Sequence, residues 1–585
     1  MDLFKVADYY VDRIVNSQSR VSNSSVAERS RIKALLLDKD TITTISMCTT
    51  QTELLNHEIY LVDTIENQNR DVMRHLRCLA YVSPTEETLQ ALLRELQNPK
   101  YGDYYIFFSN AVSKSQLERL AEADDLEVVS KVEEIYQDYH IINSDFFSLD
   151  IPVENLLQVR DTWEASTLIE CTKSLTSLLL SLKLKPDIKF EANSRMCSKL
   201  AREVSIYIEQ NEKTLFDFPK IDSTPMLVLL DRKNDPLTPL LQPWTYQSML
   251  NEYIGIKGNI VDLSGIPDVD KDIKTVTLSP RQDAFFHSTM YSNFGELGDK
   301  VNQYVTTYKD KTHSNSQINT IEDIKRFIEK YPEFRKLSGN VAKHMAIVGE
   351  LDRQLRLGDI WRLSEVEQNL AVHKDSQEDY QAMLTLLRDE KLRNEYKLKL
   401  ACIYSLKHGE NSERMDGVVQ TLSQQLPAEE INLFHKFRTI FHADQTKGEG
   451  QGHLRDKDDL LSELAKKFNS RMGSGNNTEA ENVYMQHVPE ISTLLTDISK
   501  NKVSRDRLKT MSSSKAAESS PKLSSPTSPA APPQDIVIFV VGGVTYEEAR
   551  FVHQFNETMK NKTRVVLGGT SVLSTSDFMQ SIRNT

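Results

Sequence analysis

The chain has five cysteines in 585 residues: Cys48, Cys78, Cys171, Cys197 and Cys402. They are odd in number and never form a CxxC pair, which excludes a disulfide framework and a zinc cluster and leaves them as reduced packing residues. Long apolar runs are missing too. The longest, 178–180 and 536–541, fall far short of the roughly 20 residues that cross a bilayer, so no membrane span is expected. The N-terminus is charged from Asp2 and lacks an unbroken apolar core, which argues against a secretory signal and for a cytosolic chain. The sequons at Asn23, Asn476, Asn556 and Asn561 then carry no meaning. A basic excess is also absent: 71 Lys and Arg against 84 Asp and Glu give a net charge of −13, which argues against nucleic acid as the main partner.

Catalytic signatures are equally scarce. No GxGxxG, GxxxxGK[ST], HExxH or GxSxG pattern occurs, and the 13 histidines are dispersed. Gly542-Gly543-Val544-Thr545 and Gly568-Gly569-Thr570-Ser571 read as tight turns rather than phosphate cradles, since bulky Val544 and Tyr546 follow the first pair. Asp231-Arg232-Lys233-Asn234-Asp235 reads as a strand-exit loop fixed by local hydrogen bonds and an internal pair with Arg232. The expectation is no catalytic residue, no metal and no cofactor. A nucleotide-dependent enzyme on a doubly wound fold is the rival, and it would need phosphate bound near Gly542 or Gly568.

The sequence does carry alternating apolar runs and helical patterns. Residues 35–37, 59–62, 79–82 and 105–108 are strand candidates, with leucines at helical spacing over 86–96, so the first 145 residues read as an α/β domain. A second α/β element starts near Phe146, with a helix over 168–184 and a doubly buried strand over 226–230. Helix-forming segments dominate from 246 onward, broken by a polar, glycine-bearing loop over 443–459. The Ser/Pro/Ala/Lys tract 511–533 is too poor in apolar residues to order itself and reads as a disordered surface loop. Strand grammar then returns at 536–541, followed by a capping box from Thr545 to Glu548. That strand must complete a sheet begun earlier, beside 226–230. The division is therefore 1–145, then 146–245 with 485–585, and a mostly helical insertion over 246–484.

Two segments suit the binding of peptides or helices. Ser113 and Gln116 form a capping box, and Val112 and Leu117 have the spacing of a hydrophobic staple. Leu117, Leu120 and Ala121 then share a face that Val129 and Val132 can meet, either as interdomain core or as a docking surface. The second segment, 321–355, holds two helical runs around Pro332, which should start or break a helix and make a hairpin. Its outer face is either solvated or a groove for another helix.

The run from Leu230-Asp231-Arg232 through Pro236-Leu237-Thr238-Pro239-Leu240-Leu241 to Trp244-Thr245-Tyr246-Gln247 resembles the Sec/Munc (SM) family of syntaxin-binding proteins. The likeness extends to Asn482-Val483-Tyr484-Met485-Gln486-His487, to 540–546 and to 567–570. Gln242 departs from it, since the family often carries His there. The resemblance implies an α/β three-domain arch without enzymatic activity. It further implies a SNARE-assembly chaperone of the endosomal branch, acting in transport between the trans-Golgi and the endosome or vacuole.

Implied partners are a syntaxin-type (Qa) SNARE, a vesicle SNARE, the assembled SNARE complex and a Rab effector. Membrane association would be peripheral, through SNAREs on Golgi, endosomal and vacuolar membranes, by a monomer. By the same carry-over, Leu117, Leu120, Ala121, Val129 and Val132 would receive the syntaxin N-terminal peptide, with Glu134 facing a basic residue of it. Pro332, at the bend, with Leu337, Val341, His344 and Met345 would form a template for SNARE helices, although Val341, Met345 and Val348 suit the hairpin core equally. Asp63 and Arg70 would line the arch cavity. A passive tether that binds syntaxin without templating is the alternative.

Overall fold

The computed structural model describes residues 1–17, 32–152, 161–314 (except 220, 268 and 270–272), 321–442 (except 375), 483–511 (except 505) and 533–584 (except 561). For residues 305 and 308–338 only the backbone is described, as far as it falls within those ranges. The loop expected over 443–459 and nearly all of the Ser/Pro tract lie outside the described residues.

Two sheets organise the chain. The first is wholly parallel, built from β1 (Lys33–Leu37), β2 (Ile59–Thr64), β3 (Met73–Val82), β4 (Tyr101–Phe108) and β5 (Val129–Glu134) in the order β2-β1-β3-β4-β5. Its central strands are apolar on both faces because both faces are covered. Leu36, Ala80 and Ile106 enter one core with Leu89 and Leu92, while Leu35, Tyr81 and Phe107 enter another with Ile14 and Ile45.

The second sheet takes β6 (His140–Asn143), β7 (Phe146–Ser148), β8 (Asp187–Glu191) and β9 (Met226–Asp231) from the first half of the chain. β10 (Ile260–Asp262) and β11 (Thr275–Thr277) form a separate antiparallel pair. β12 (Leu508–Thr510), β13 (Asp535–Val541) and β14 (Arg564–Gly569) complete the second sheet, in the order β12-β8-β9-β13-β14-β7-β6. β13 lies parallel to β9, Ile538 beside Val228. A strand this apolar needs neighbours on both sides, and β9 and β14 supply them.

Between β9 and β12 the described residues are mostly helical, including Phe294–Ser314, Ile321–Leu357, Ile360–Val372 and Asn394–His408. The architecture is an α/β fold with two largely parallel sheets and a helical region between the halves of the second.

One expectation is corrected here. Residues 321–355 are not two runs bent at Pro332; the helix Ile321–Leu357 continues through it. Proline removes one backbone donor and crowds the carbonyl four residues earlier, at a cost of about 3 kcal/mol, which the turns on either side of a long helix can offset. The helix Phe294–Ser314 packs against it, and the connection between the two, 315–320, lies outside the described residues.

Candidate functional site

The helix Lys114–Ala123 crosses from β4 to β5. Ser113 opens it: its Oγ accepts from the Gln116 amide at 3.2 Å, and Gln116 Oε1 accepts from the Ser113 amide at 2.9 Å. Leu120 and Ala123 point inward against Leu89, Leu92 and Leu96 of the helix Glu86–Gln97. With that face fixed, Leu117 and Ala121, one turn apart, look outward; Leu117 is 40% exposed. β5 forms the sheet edge, where Val132 is also 40% exposed and Val129 is half-buried against the core.

Both ends of this helix–strand unit are tied. Glu134 Oε1 accepts from the Val112 amide at 2.8 Å, and Asp124 accepts from the amides of Val128 and Val129 at 2.8 and 3.0 Å. Leu117 and Ala121 on the helix and Val132 on the strand that follows are thus apolar and exposed, as are Leu126 and the carboxylates Glu118, Glu122, Asp125 and Glu127 of the same segment.

Two sequence-derived members change role. Leu120 is only 4% exposed and belongs to the core, because the helix packs through the 120/123 face rather than the 117/121 face. Glu134 accepts from Val112 with one oxygen and from the Tyr136 hydroxyl, at 2.8 Å, with the other, so it is first a structural tie.

The long helix Ile321–Leu357 carries the second candidate surface. Val341, His344, Ile347, Leu351 and Leu355 form its buried stripe, whereas Met345 is 50% exposed beside exposed Ala342 and Gly349. Val341 and His344 are therefore core residues, not part of an outer template face. His344 is fully buried between the Tyr246 hydroxyl on Nδ1 and Asp283 Oδ2 on Nε2, both at 2.8 Å. Burial lowers its pKa below the ordinary imidazole value, and Asp283, paired with His344 and Lys343, sits well below the carboxylate range. The side chains of Pro332 and Leu337 lie outside the described residues.

Neither cavity candidate is free. Asp63 accepts from the Asn67 side-chain amide at 2.9 and 3.1 Å and holds a local turn. Arg70 is buried, donating to the Thr64 carbonyl at 2.7 Å and to Glu95, which also binds Lys100 and Tyr104.

Of the two glycine pairs read as tight turns, only the first is one: Gly568 and Gly569 are the last residues of β14, paired with Phe147 and Ser148 of β7. Gly542 and Gly543 have φ of 93° and 101°, and a Cβ on Gly543 would lie 2.6 Å from Leu573. The following helix N-terminus is occupied from within: Thr545 and Glu548 form the capping box, and Glu548 also accepts from fully buried Arg232. The Asp231–Asp235 loop is locally bonded as read, with Asp235 accepting from the Thr238 amide and hydroxyl. The partner of Arg232 across the chain was not legible.

The 237–247 and 484–487 segments build a junction. Trp244 donates to Ser364 at 2.7 Å, the Gln242 amide to Glu367 at 2.9 Å, and the amides of Gln486 and His487 to Gln368. The cavity between Thr238, Glu252, His487 and Glu547 holds only about 50 Å3, far below the roughly 300 Å3 at which small-molecule pockets begin. All five cysteines are free and buried, and burial pushes the Cys48 thiol up to about 12. Among the described residues no group of three or more His, Cys, Asp or Glu could hold a metal ion, and no helix is long and apolar enough to cross a membrane.

The profile of the Sec1 family matches residues 33–581. Vacuolar protein sorting-associated protein 45 of Saccharomyces cerevisiae is 62% identical over 584 residues, covering 100% of each chain. The protein of the same name from Schizosaccharomyces pombe is 37% identical, covering 100% of this chain and 99% of the other. A solved structure described as the SM protein Vps45 in complex with the Qa SNARE Tlg2 superposes with a TM-score of 0.85 at 37% identity, covering 100% of this chain and 98% of that one. With a family profile spanning nearly its full length and relatives matched end to end, the chain belongs to the Sec1 family.

Proposed function

We propose that this protein binds a syntaxin-type Qa SNARE and guides SNARE-complex assembly for vesicle fusion between the trans-Golgi and the endosome or vacuole. The observation that carries this reading is the exposure of apolar Leu117, Ala121 and Val132 on a helix and strand tied by Glu134, in a chain whose solved relative holds a Qa SNARE. An extended peptide with one large apolar residue would bury that anchor against Leu117 and Val132 at ~25 cal/mol per Å2, while the surrounding carboxylates orient its basic groups.

The long helix supplies the second surface, around Met345. Holding two SNARE helices side by side there lowers the entropic cost of bringing them together. The chain divides into 1–145, then 146–245 with 485–585, and the helical 246–484. It works without catalysis, on the cytoplasmic side of Golgi, endosomal and vacuolar membranes, reached through its SNARE partners, with a vesicle SNARE and a Rab effector as further partners.

The test is SNARE-complex formation from purified Qa, Qb, Qc and vesicle SNARE domains, followed by fluorescence transfer with and without the protein. A faster rate that falls when Met345→Asp is introduced supports the chaperone reading. Binding of the Qa SNARE with no change in rate would make the protein a passive tether.

A further inference from the structure

The loop from Ser279 to Asp283 touches two otherwise distant parts of the molecule. On one side it closes the helix Lys39–Cys48. The last carbonyls of any helix lack intrahelical donors. Here the Ser279 hydroxyl donates to the Met47 carbonyl at 3.2 Å, and Gln282 Nε2 donates to the carbonyls of Ser46 and Thr49 at 3.0 and 3.2 Å. Arg281 adds an ion pair to Asp8 of the helix Leu3–Val15.

On the other side stands the long helix. Asp283 caps the short helix Ala284–Thr289 through Oδ1, which accepts from the Phe286 amide at 3.0 Å. Its Oδ2 receives both Lys343 and His344, consecutive residues of Ile321–Leu357. Two neighbours about 100° apart around a helix, held by one carboxylate oxygen, fix rotation as well as axial position. All three side chains are buried, so the contact is not diluted by solvent.

The helix Lys39–Cys48 is tied at its other end as well. Its cap, Asp38, is fully buried and accepts from the Ser83 amide and hydroxyl and from Thr88. Pro84, next to Ser83, accepts from Gln116 Nε2 at 3.1 Å, and Gln116 lies in the first turn of Lys114–Ala123. The helix Lys39–Cys48, with buried and half-buried hydrogen bonds at its two ends, thus connects the helix Lys114–Ala123 to residues 343 and 344 of the long helix.

We propose that Gln282 and Asp283 form a latch that positions the long helix against the five-stranded sheet unit and passes a load at the Leu117 surface to the Met345 surface. The proposal rests on the reading of those two surfaces given above. Gln282 grips carbonyl ends of a rigid helix, and Asp283 grips the helix that must move or hold. Both are positioning residues; neither contacts a partner.

The experiment measures the distance between spin labels on Gln97→Cys, exposed at the end of the helix Glu86–Gln97 and outside the proposed peptide surface, and Met345→Cys in the full chain, since the native cysteines are buried and resist labelling. Asp283→Asn keeps the cap acceptor and removes the charge; Gln282→Ala removes two bonds to one helix end. The parent should give one narrow distance distribution, and each variant one broadened about twofold, with circular dichroism showing both variants folded and with Asp283→Asn melting lower, because it leaves buried Lys343 without its counter-charge.

Adding the N-terminal peptide of a Qa SNARE should shift the parent distribution and leave those of the variants unmoved, at equal peptide affinity. Distributions as narrow as the parent's in both folded variants would overturn the latch. A parent that binds no peptide overturns the reading of the Leu117 surface instead, and the partner-free distance still decides the latch.

Discussion

Arg232 and Glu548 lie 316 residues apart in the chain and meet with both side chains buried, Arg232 Nη2 donating to the two carboxylate oxygens at 2.6 and 2.7 Å. The same guanidinium donates through Nε to the Gly543 carbonyl at 3.0 Å and through Nη1 to the Asp235 carbonyl at 2.9 Å. One arginine thus joins the exit of β9 to the turn after β13 and to the helix Tyr546–Met559.

Removing that arginine leaves a buried carboxylate without its counter-charge. Arg232→Met should cost about 3–5 kcal/mol in denaturant unfolding, because breaking one side of a buried pair exposes the full desolvation cost of the other. The double variant Arg232→Met/Glu548→Met should recover part of that loss. Equal losses in the single and double variants would show that packing, not charge, dominates the site.

Glu191 lies beside Asp231 and accepts from the Asp231 amide at 2.7 Å and from Asn234 at 2.6 Å. Burial pushes its carboxyl up to about 7. Its folded pKa exceeds the unfolded value, so the folded state binds the extra proton. The associated stability is full below about pH 4.5 and is lost as pH rises through about 7. Glu191→Gln should remove this slope and gain on the order of 2–3 kcal/mol over the parent at pH 8. Parallel stability curves for parent and variant between pH 5 and pH 8 would contradict the assignment.

Leu117 and Leu120 separate surface from core within one helical turn. Leu120→Ala should cost about 2–5 kcal/mol, as other buried leucines do, whereas Leu117→Ala should stay within about 0.5 kcal/mol of the parent. Thermal melts of the two variants side by side check this.

The central strands were legible because they are buried on both faces, so their apolar runs are continuous: 79–82 and 536–541 needed no tertiary knowledge, whereas half-exposed or short strands such as Val129–Glu134 and Leu508–Thr510 were not read as strands. The caps at Ser113 and Thr545 were legible because capping is local. What escaped was whatever depends on a distant neighbour. Spacing put Leu117, Leu120 and Ala121 on one face, but only the helix Glu86–Gln97 decides that Leu120 and Ala123 turn inward. His344 has helical spacing with apolar neighbours whether it faces SNAREs or Asp283. Pro332 invoked a general rule that a long helix can override. Arg70 is consumed by Glu95 and Arg232 by Glu548, and neither partner is close in sequence.

The central claim is that the edge formed by Leu117, Ala121 and Val132 receives the N-terminal peptide of a syntaxin-type SNARE. Calorimetric titration of that peptide into the parent and into Leu117→Arg, with matched circular dichroism and melting, tests it most directly. The account predicts saturable one-to-one binding to the parent and loss of at least about tenfold in affinity in the variant, since a charge replaces the apolar anchor site. Equal affinity for both would contradict it and move the recruitment site away from this edge.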